Sequence, residues 1–440
     1  MLRRDPIVGH QDASYLVRRG RIWQFRRAVP GELAVLDPRR AIRVTTGTCD
    51  RSKAALVAAK INTALEEYWR GLLSSSDVCT ATAQATSFTD AVAEARAHNL
   101  TYRPAAEIAE QPLADIVARV KIFDRPAAPP TRNMIAAVLG GASKPTLRLS
   151  GLFEVYNGLV TDRTLGKSDN QRRKWTATRE RAVANLIAMI GDKPIADITR
   201  DDALDFKEWW VKRIRDEGYD QTSANKDLGA LTKMMRTIND AWRLNLALPF
   251  AGIRVADEKH RPRIAYEAEY VRSHILPGDR LPKLNPEARA ALQIVAATGM
   301  RPREVLGLTR SRIVLDAAIP HLQVRPEQRQ LKTDHSARDM PLLGIALTVM
   351  TAFSEGFPRY RDAPDVFSAT ANKALGAAGL RPTPRHTVYS LRHTFKDRLI
   401  ALEVPQRIQD ELMGHALHEI AYGSGSSLRQ RADWLARVWG

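Results

Sequence analysis

Near the middle of the chain stands Asp257-Glu258-Lys259-His260-Arg261-Pro262-Arg263. Charged side chains and a proline at this density break any helical period, so a linker is expected here. The chain is therefore expected to divide here. At 440 residues the chain is long for one domain, and about two to four are expected. Hydrophobic residues make up 44%, enough for separate cores. The expected class is multidomain, mainly α with small β-sheets.

Lysine and arginine total 67 against 49 acidic residues, a formal charge of +18. That excess favours a polyanionic partner, most simply nucleic acid. Cys49 and Cys79 lack metal-ligand spacing and point to a reducing compartment. No signal peptide is recognised, and no apolar run approaches the ~20 residues of a membrane span. A soluble, cytoplasmic, DNA-associated protein with no membrane contact is expected. No internal repeat is found.

In chain order, Tyr15–Arg19 and Ile22–Arg27 flank Gly20 and predict a hairpin, with Ala41–Thr45 as a third strand. Asp50 caps a helix over about 51–73, with Ala55, Ala58, Ile61, Leu65 and Trp69 on one face. Such a basic sheet can lay Arg18, Arg19 and Arg26 on DNA phosphates, or it is an ordinary solvated face. Residues 76–147 carry no chemistry; Thr89 starts a helix to His98, and prolines interrupt the rest. Four helices are expected over 148–250. They start near Ser150, Asp169, Thr199 (with Asp202 as a capping box) and Thr222. Arg172, Arg173 and Lys174 form a basic cluster that suits a helical clamp on a duplex or a solvated helix face. Trp209 and Trp210 read as core. Beyond the linker, Pro286–Ala297 is an apolar helix ending at Gly299. Short strands fall at Val314 and Val324, and two more, Leu331–Thr333 and Asp339–Leu342, flank a turn at 334–337.

Chemistry concentrates in this last segment. Arg301, Lys332, Arg392, His415 and Tyr422 are the side chains needed to cut a phosphodiester without a metal. Two arginines can fork onto the non-bridging oxygens of one phosphate. A lysine can protonate the leaving oxygen. A tyrosine can attack as a covalent nucleophile. No cofactor or metal is implied. His415 and His418 share a three-residue spacing that reads as chance.

From Pro262 onward the chain resembles the catalytic domain of tyrosine recombinases, the phage integrase family. The resemblance is carried by Thr298-Gly299-Met300-Arg301-Pro302-Arg303-Glu304, Lys332-Thr333, Leu391-Arg392-His393-Thr394-Phe395, Leu412-Met413-Gly414-His415 and Ala421-Tyr422-Gly423, in the family's order. It implies that Arg301 and Arg392 clamp the scissile phosphate, Lys332 is the general acid, His415 bonds the phosphate and Tyr422 forms a 3′-phosphotyrosyl link. Glu304 and His393 are supporting residues. The resemblance also implies four regions. These are an arm-type or accessory DNA-binding region at 1–75, a connecting region at 76–147, a helical core-binding (SAM-like) domain at 148–255 and a mixed α+β catalytic domain at 262–440. Expected partners are double-stranded DNA attachment sites, further copies in a synaptic tetramer and an accessory directionality protein.

The chain departs from the family pattern at Tyr389, where histidine is usual, and in the short interval from His415 to Tyr422. His386 is not expected to substitute; Tyr389 is expected to bond the phosphate or the nucleophile. Tyr360 and Tyr389 are rival tyrosines. The C-terminal stripe Leu428, Leu435, Val438 and Trp439 docks on its own domain or on a neighbouring protomer. Two other functions remain open: a type IB topoisomerase-like enzyme, and a DNA-binding regulator that has lost catalysis.

Overall fold

The computed structural model describes residues 15–439 apart from 35, 125–128, 257–263, 328, 332 and 417–424. The chain divides into two compact units, Met1–Thr161 with Ala177–Asp257, and Asp162–Thr176 with Glu258–Gly440. The expected linker lies outside the described residues.

The first unit opens with an antiparallel sheet of β1 (Leu16–Arg19), β2 (Ile22–Ala28) and β3 (Ala41–Thr45). Strand alternation turns Phe25 and Ile42 inward, where they pack with Leu33 against Ala58, Leu65 and Trp69 of α1 (Arg51–Ala97). Arg27 shares that inner face and is buried. Its guanidinium bonds Glu66 at 2.7 Å and lies 5.0 Å from the Trp69 ring centroid. Asp50 caps α1 as expected, accepting from the backbone N–H of Ser52 and Lys53. The helix is far longer than the 51–73 anticipated. No glycine in the right place or proline stops it, and its second half buries Val78, Ala81, Ala85, Phe88, Ala91 and Ala95 at helical spacing. Thr89 is therefore interior to a helix, its hydroxyl donating to the Ala85 carbonyl. Ala55 is exposed, and Ala54 takes the buried position. The boundary anticipated at 75 falls inside α1.

Short helices α2 (Ala105–Ala109), α3 (Leu113–Val120) and α4 (Arg132–Leu139) follow, α4 packing on α1. Then come α5 (Leu152–Leu159), α6 (Asp169–Ile190), α7 (Arg200–Glu217) and α8 (Gln221–Trp242). The Thr199–Asp202 capping box is present, and Trp210 is buried.

The second unit is built on α10 (Pro286–Thr298), whose residues are almost all buried. Before it lie α9 (Ala268–Tyr270) and a π-helical turn, Val271–Ile275. After it come α11 (Pro302–Leu306), the antiparallel sheet β4 (Ile313–Val314), β5 (His321–Val324) and β6 (Arg338–Pro341), then α12 (Gly344–Ala352) and α13 (Pro364–Ala377). The chain ends with α14 (Val388–Ala401), α15 (Gln406–Met413) and α16 (Leu428–Val438). Helices α12 and α14 pack on α10. Leu435 and Val438 of α16 join this core, and the Trp439 indole donates to the Ala297 carbonyl at 3.1 Å. The C-terminal stripe thus docks on its own domain. One expected strand is missing: Leu331 and Thr333 are not in a strand, and β6 pairs with β5 instead.

Candidate active site

Two left-handed glycines bring the site together. Gly299 caps α10 at φ 63°, and Gly414 caps α15 at φ 61°. Non-glycine residues rarely adopt this backbone. A Cβ on Gly299 would also stand 2.3 Å from the Phe395 ring, and one on Gly414 would stand 2.6 Å from Arg338. The turns that follow deliver Arg301 and His415.

Both candidate phosphate arginines sit on the carbonyl ends of these helices. Arg392 donates to the Gly299 carbonyl at 2.6 Å and to the Met413 carbonyl at 2.5 Å. Arg301 donates to the Gly414 carbonyl at 3.3 Å. Helix C-termini carry partial negative charge and favour cations. The carbonyls thereby hold the guanidiniums in place.

Glu304 lies between two arginines. It accepts from Arg301 Nη1 at 2.7 Å and from the Arg301 backbone N–H at 2.9 Å. It also accepts from Arg338 Nη2 at 2.8 Å. Burial alone pushes its carboxyl up, but Arg338 and Arg301 outweigh this and hold it at about 2. With Arg392 also within electrostatic reach of Glu304, three arginines share one carboxylate, leaving a positive excess suited to an anion. Arg392 feels that excess: burial first, then Arg301 and Arg338, push its pKa down to about 10, so it stays charged at neutral pH.

His415 stands beside them, its Nε2 3.2 Å from Arg392 Nη2. Arginine only donates, so Nε2 accepts and the proton sits on Nδ1. That nitrogen lies 3.8 Å from Asp410 Oδ1. Burial, Arg392 and Arg301 push the imidazole down to about 4, against Asp410. One turn beyond Arg392 on α14, the Lys396 amine donates to Gln409 at 2.6 Å; burial and Arg392 lower its pKa.

Arg301, Glu304, Arg392 and His415 therefore meet. Tyr389 lies one turn before Arg392 on α14, in a cleft of about 380 Å³ lined also by Pro302, Ser368, Asn372 and Arg385. Its ring centroid is 5.5 Å from that of His393. His386 is buried and bonded to Thr383 and to the Ala265 carbonyl, a structural role. Tyr360 is core, its hydroxyl accepting from Asn285. Lys332, Tyr422 and His418 lie outside the described residues. Beyond them, the Ser426 backbone N–H donates to Glu411 of α15 at 3.1 Å.

Arg338 and Ser336 were missed in the sequence, although Ser336 accepts from Arg301 at 3.3 Å. The signal was available: strand alternation puts Arg338 on the face of Met340 and Leu342, which are both buried.

The basic residues elsewhere divide. Arg26 pairs across the first sheet with Arg43, and both are exposed. Arg19, paired with Ile22, shares that outer face by alternation. Arg18 is opposite Trp23 and falls on the other face. Arg43 is the outer-face arginine the sequence reading passed over. The Arg172–Lys174 cluster belongs to the second unit, where Lys174 pairs with Asp365 and Arg173 donates to Asn170.

Residues 15–73 match a family described as a domain of unknown function, DUF6538. No curated protein matches the chain. Solved structures are similar. One is the Tn1549 transposon integrase in complex with transposon right end DNA. It has 19% identity, covers 64% of this chain and 97% of that one, and has a TM-score of 0.44. A lambda integrase dimer bound to a COC′ core site has 15% identity, covers 97% of this chain and 96% of that one, and has a TM-score of 0.47. XerA recombinase has 16% identity, covers 65% and 93%, and has a TM-score of 0.28. Scores at this level carry no residue role across. In motif order and in a fold that is multidomain and mainly helical with small antiparallel sheets, the chain resembles the tyrosine recombinases, the phage integrase family.

Proposed function

We propose that the protein is a site-specific DNA recombinase, an integrase that cuts and rejoins DNA through a 3′-phosphotyrosyl intermediate. One observation carries the reading. Arg301, Arg392 and His415 come from three separate motifs and converge with a net positive charge, the two guanidiniums held by helix-end carbonyls. Preorganised donors of this kind stabilise charge that develops at phosphorus. In the proposed reaction the Tyr422 oxygen attacks the phosphorus and the 5′ oxygen leaves with a proton from Lys332. A 5′ hydroxyl of a partner strand then reverses the attack, so bond energy is kept. Glu304 buttresses Arg301, and Tyr389 bonds the phosphate or the nucleophile.

The proposal extends to attachment-site duplexes as substrate, a tetramer on DNA, an accessory directionality protein and a mobile element as the DNA moved. Arg19, Arg26 and Arg43 are proposed to contact duplex DNA from the first sheet. Like charges directly opposite one another weaken a sheet, which argues for a polyanion over Arg26 and Arg43.

Covalent capture tests the reading. A denatured lysate is searched for DNA bonded to the protein, with Tyr422→Phe alongside. Discrete junctions for the wild type alone are expected. No adduct from either would favour the non-catalytic DNA-binding protein. Adducts from the variant would place the nucleophile elsewhere, with Tyr389 the next choice. Relaxation of a single supercoiled duplex without strand exchange would favour the topoisomerase-like enzyme.

A further inference from the structure

Gln330 is gripped at every polar atom of its backbone and side chain. The Gln171 amide donates from Nε2 to the Gln330 carbonyl at 2.8 Å, and its Oε1 accepts from the Gln330 backbone N–H at 3.1 Å. A single side chain thus supplies the two bonds that a neighbouring strand would supply. The Gln330 side chain donates to the Leu165 carbonyl at 2.6 Å and accepts from Lys167 Nζ at 2.8 Å. The stretch that makes these bonds is itself anchored: Asp362 accepts from the Ser168 hydroxyl at 2.6 Å and the Asn170 backbone N–H at 2.9 Å. Immediately upstream, Arg329 donates to the Arg303 and Glu304 carbonyls and fills the space beside Gly307, where a Cβ would lie 2.0 Å from its Cζ. So one residue is tied to the Arg301–Glu304 turn and the next to residues 165–171. In sequence Lys332 follows Gln330 by two positions.

The bonds are made from more than 150 residues away, by a stretch whose chain neighbours on both sides belong to the first unit. A two-point amide clasp fixes register as well as distance, because both the donor and the acceptor of one peptide group are engaged. Proton transfer to a leaving oxygen needs the acid within hydrogen-bond reach, and small displacements are costly. We infer that Gln171 is a positioning residue for cleavage: by clasping Gln330 it fixes the backbone two positions before the proposed general acid Lys332. The inference rests on the proposed role of Lys332.

The test compares single-turnover cleavage of two synthetic duplexes, one with an ordinary scissile phosphate and one with sulfur in place of its 5′-bridging oxygen. A thiolate leaves without a proton, so loss of the acid is relieved on the sulfur substrate. Lys332→Ala, Gln171→Met and Gln330→Ala are measured against the wild type, with DNA affinity and melting alongside. Gln171→Met keeps the volume and removes both bonds, together with the one its Oε1 accepts from the Ser168 backbone N–H at 3.0 Å. The expected result is that Gln171→Met slows ordinary cleavage by ~10- to 100-fold at unchanged affinity, and that the sulfur duplex restores most of the rate, as for Lys332→Ala. Gln330→Ala, which keeps the backbone clasp and loses the Leu165 and Lys167 bonds, is expected to show a smaller defect with the same relief. A Gln171→Met defect of equal size on both duplexes, with Lys332→Ala relieved, overturns the inference and leaves a merely structural clasp. No defect on either also overturns it. If Lys332→Ala is not relieved, the role of Lys332 fails first and the inference falls with it.

Discussion

Glu304 is a carboxylate removed from water and kept ionised by Arg338 and Arg301. Its folded pKa of about 2 lies below its ordinary 4.5, so the folded state disfavours its protonation. The corresponding stability is complete above the unfolded pKa and is lost as pH falls through the folded one. Denaturant midpoints measured from pH 5 down to pH 2 should therefore fall more steeply for the wild type than for Glu304→Gln. Arg338→Met leaves that charge with one arginine fewer, and breaking a buried pair costs ~3–5 kcal/mol. Adding Glu304→Gln to Arg338→Met should return part of the loss in the same unfolding assay. Arg301 and Arg392 belong to another category. Replacing either with alanine should slow cleavage by ~10²- to 10³-fold, the usual effect of removing one donor aimed at developing charge. Duplex affinity, read by anisotropy, should change far less. His415 is neutral at neutral pH, with its lone pair on Nε2 facing Arg392. A phosphate bound beside the imidazole offsets the Arg392 and Arg301 charges that disfavour its protonation. Imidazole nitrogen shifts should show His415 titrating near pH 4 without DNA and upward of that with a duplex bound.

At the scale of elements, the first sheet buries one face on α1 and leaves the other exposed. Arg26 and Arg43 face one another across β2 and β3 with no gain to the fold. Arg26→Ala and Arg43→Ala should leave the melting temperature unchanged or raised. Each should weaken duplex binding and reduce the log–log salt slope by about 1, the contribution of one phosphate contact. How much of this was legible varies by the kind of signal. Capped helices were read well: Asp50 and Thr199 each hold their caps by local hydrogen bonds that a short window of sequence encodes. The end of α1 was not, because an alanine- and serine-rich run keeps helical propensity without a clear apolar stripe until tertiary contacts decide which side is buried. The strand expected at Leu331–Thr333 failed for another reason. The peptide group of Gln330 is satisfied by a glutamine far upstream, and no local pattern announces that. In the site, the arginines, the histidine and Glu304 were visible as motifs. Arg338 was visible only as a charge on an apolar strand face. The outer-face role of Arg43 needed the register.

At the scale of the whole molecule, the chain's order is not the order of its units. Asp162–Thr176 joins the second unit although the chain on either side of it belongs to the first. A fragment begun after residue 263 would therefore leave behind Ser168, Asn170 and Gln171, with the bonds they make to Asp362 and Gln330. Such a fragment should cleave more slowly than the full chain even on a short duplex, and single-turnover assays of the two side by side would register it. Within the first unit, helix α1 has a consequence of its own. Its 47 residues measure about 70 Å along the axis. A duplex advances about 34–36 Å per turn, so the helix matches roughly two turns of DNA. Its first half holds the sheet and its second half holds α4. It is thus a ruler graduated in both length and phase. Seven residues inserted at its middle would rotate the sheet by ~700°, within ~20° of its starting azimuth, whereas five would leave it ~140° out. If both ends of the first unit touch one duplex, the seven should shift the outlying footprint block outward by about 10 Å and the five should lose it.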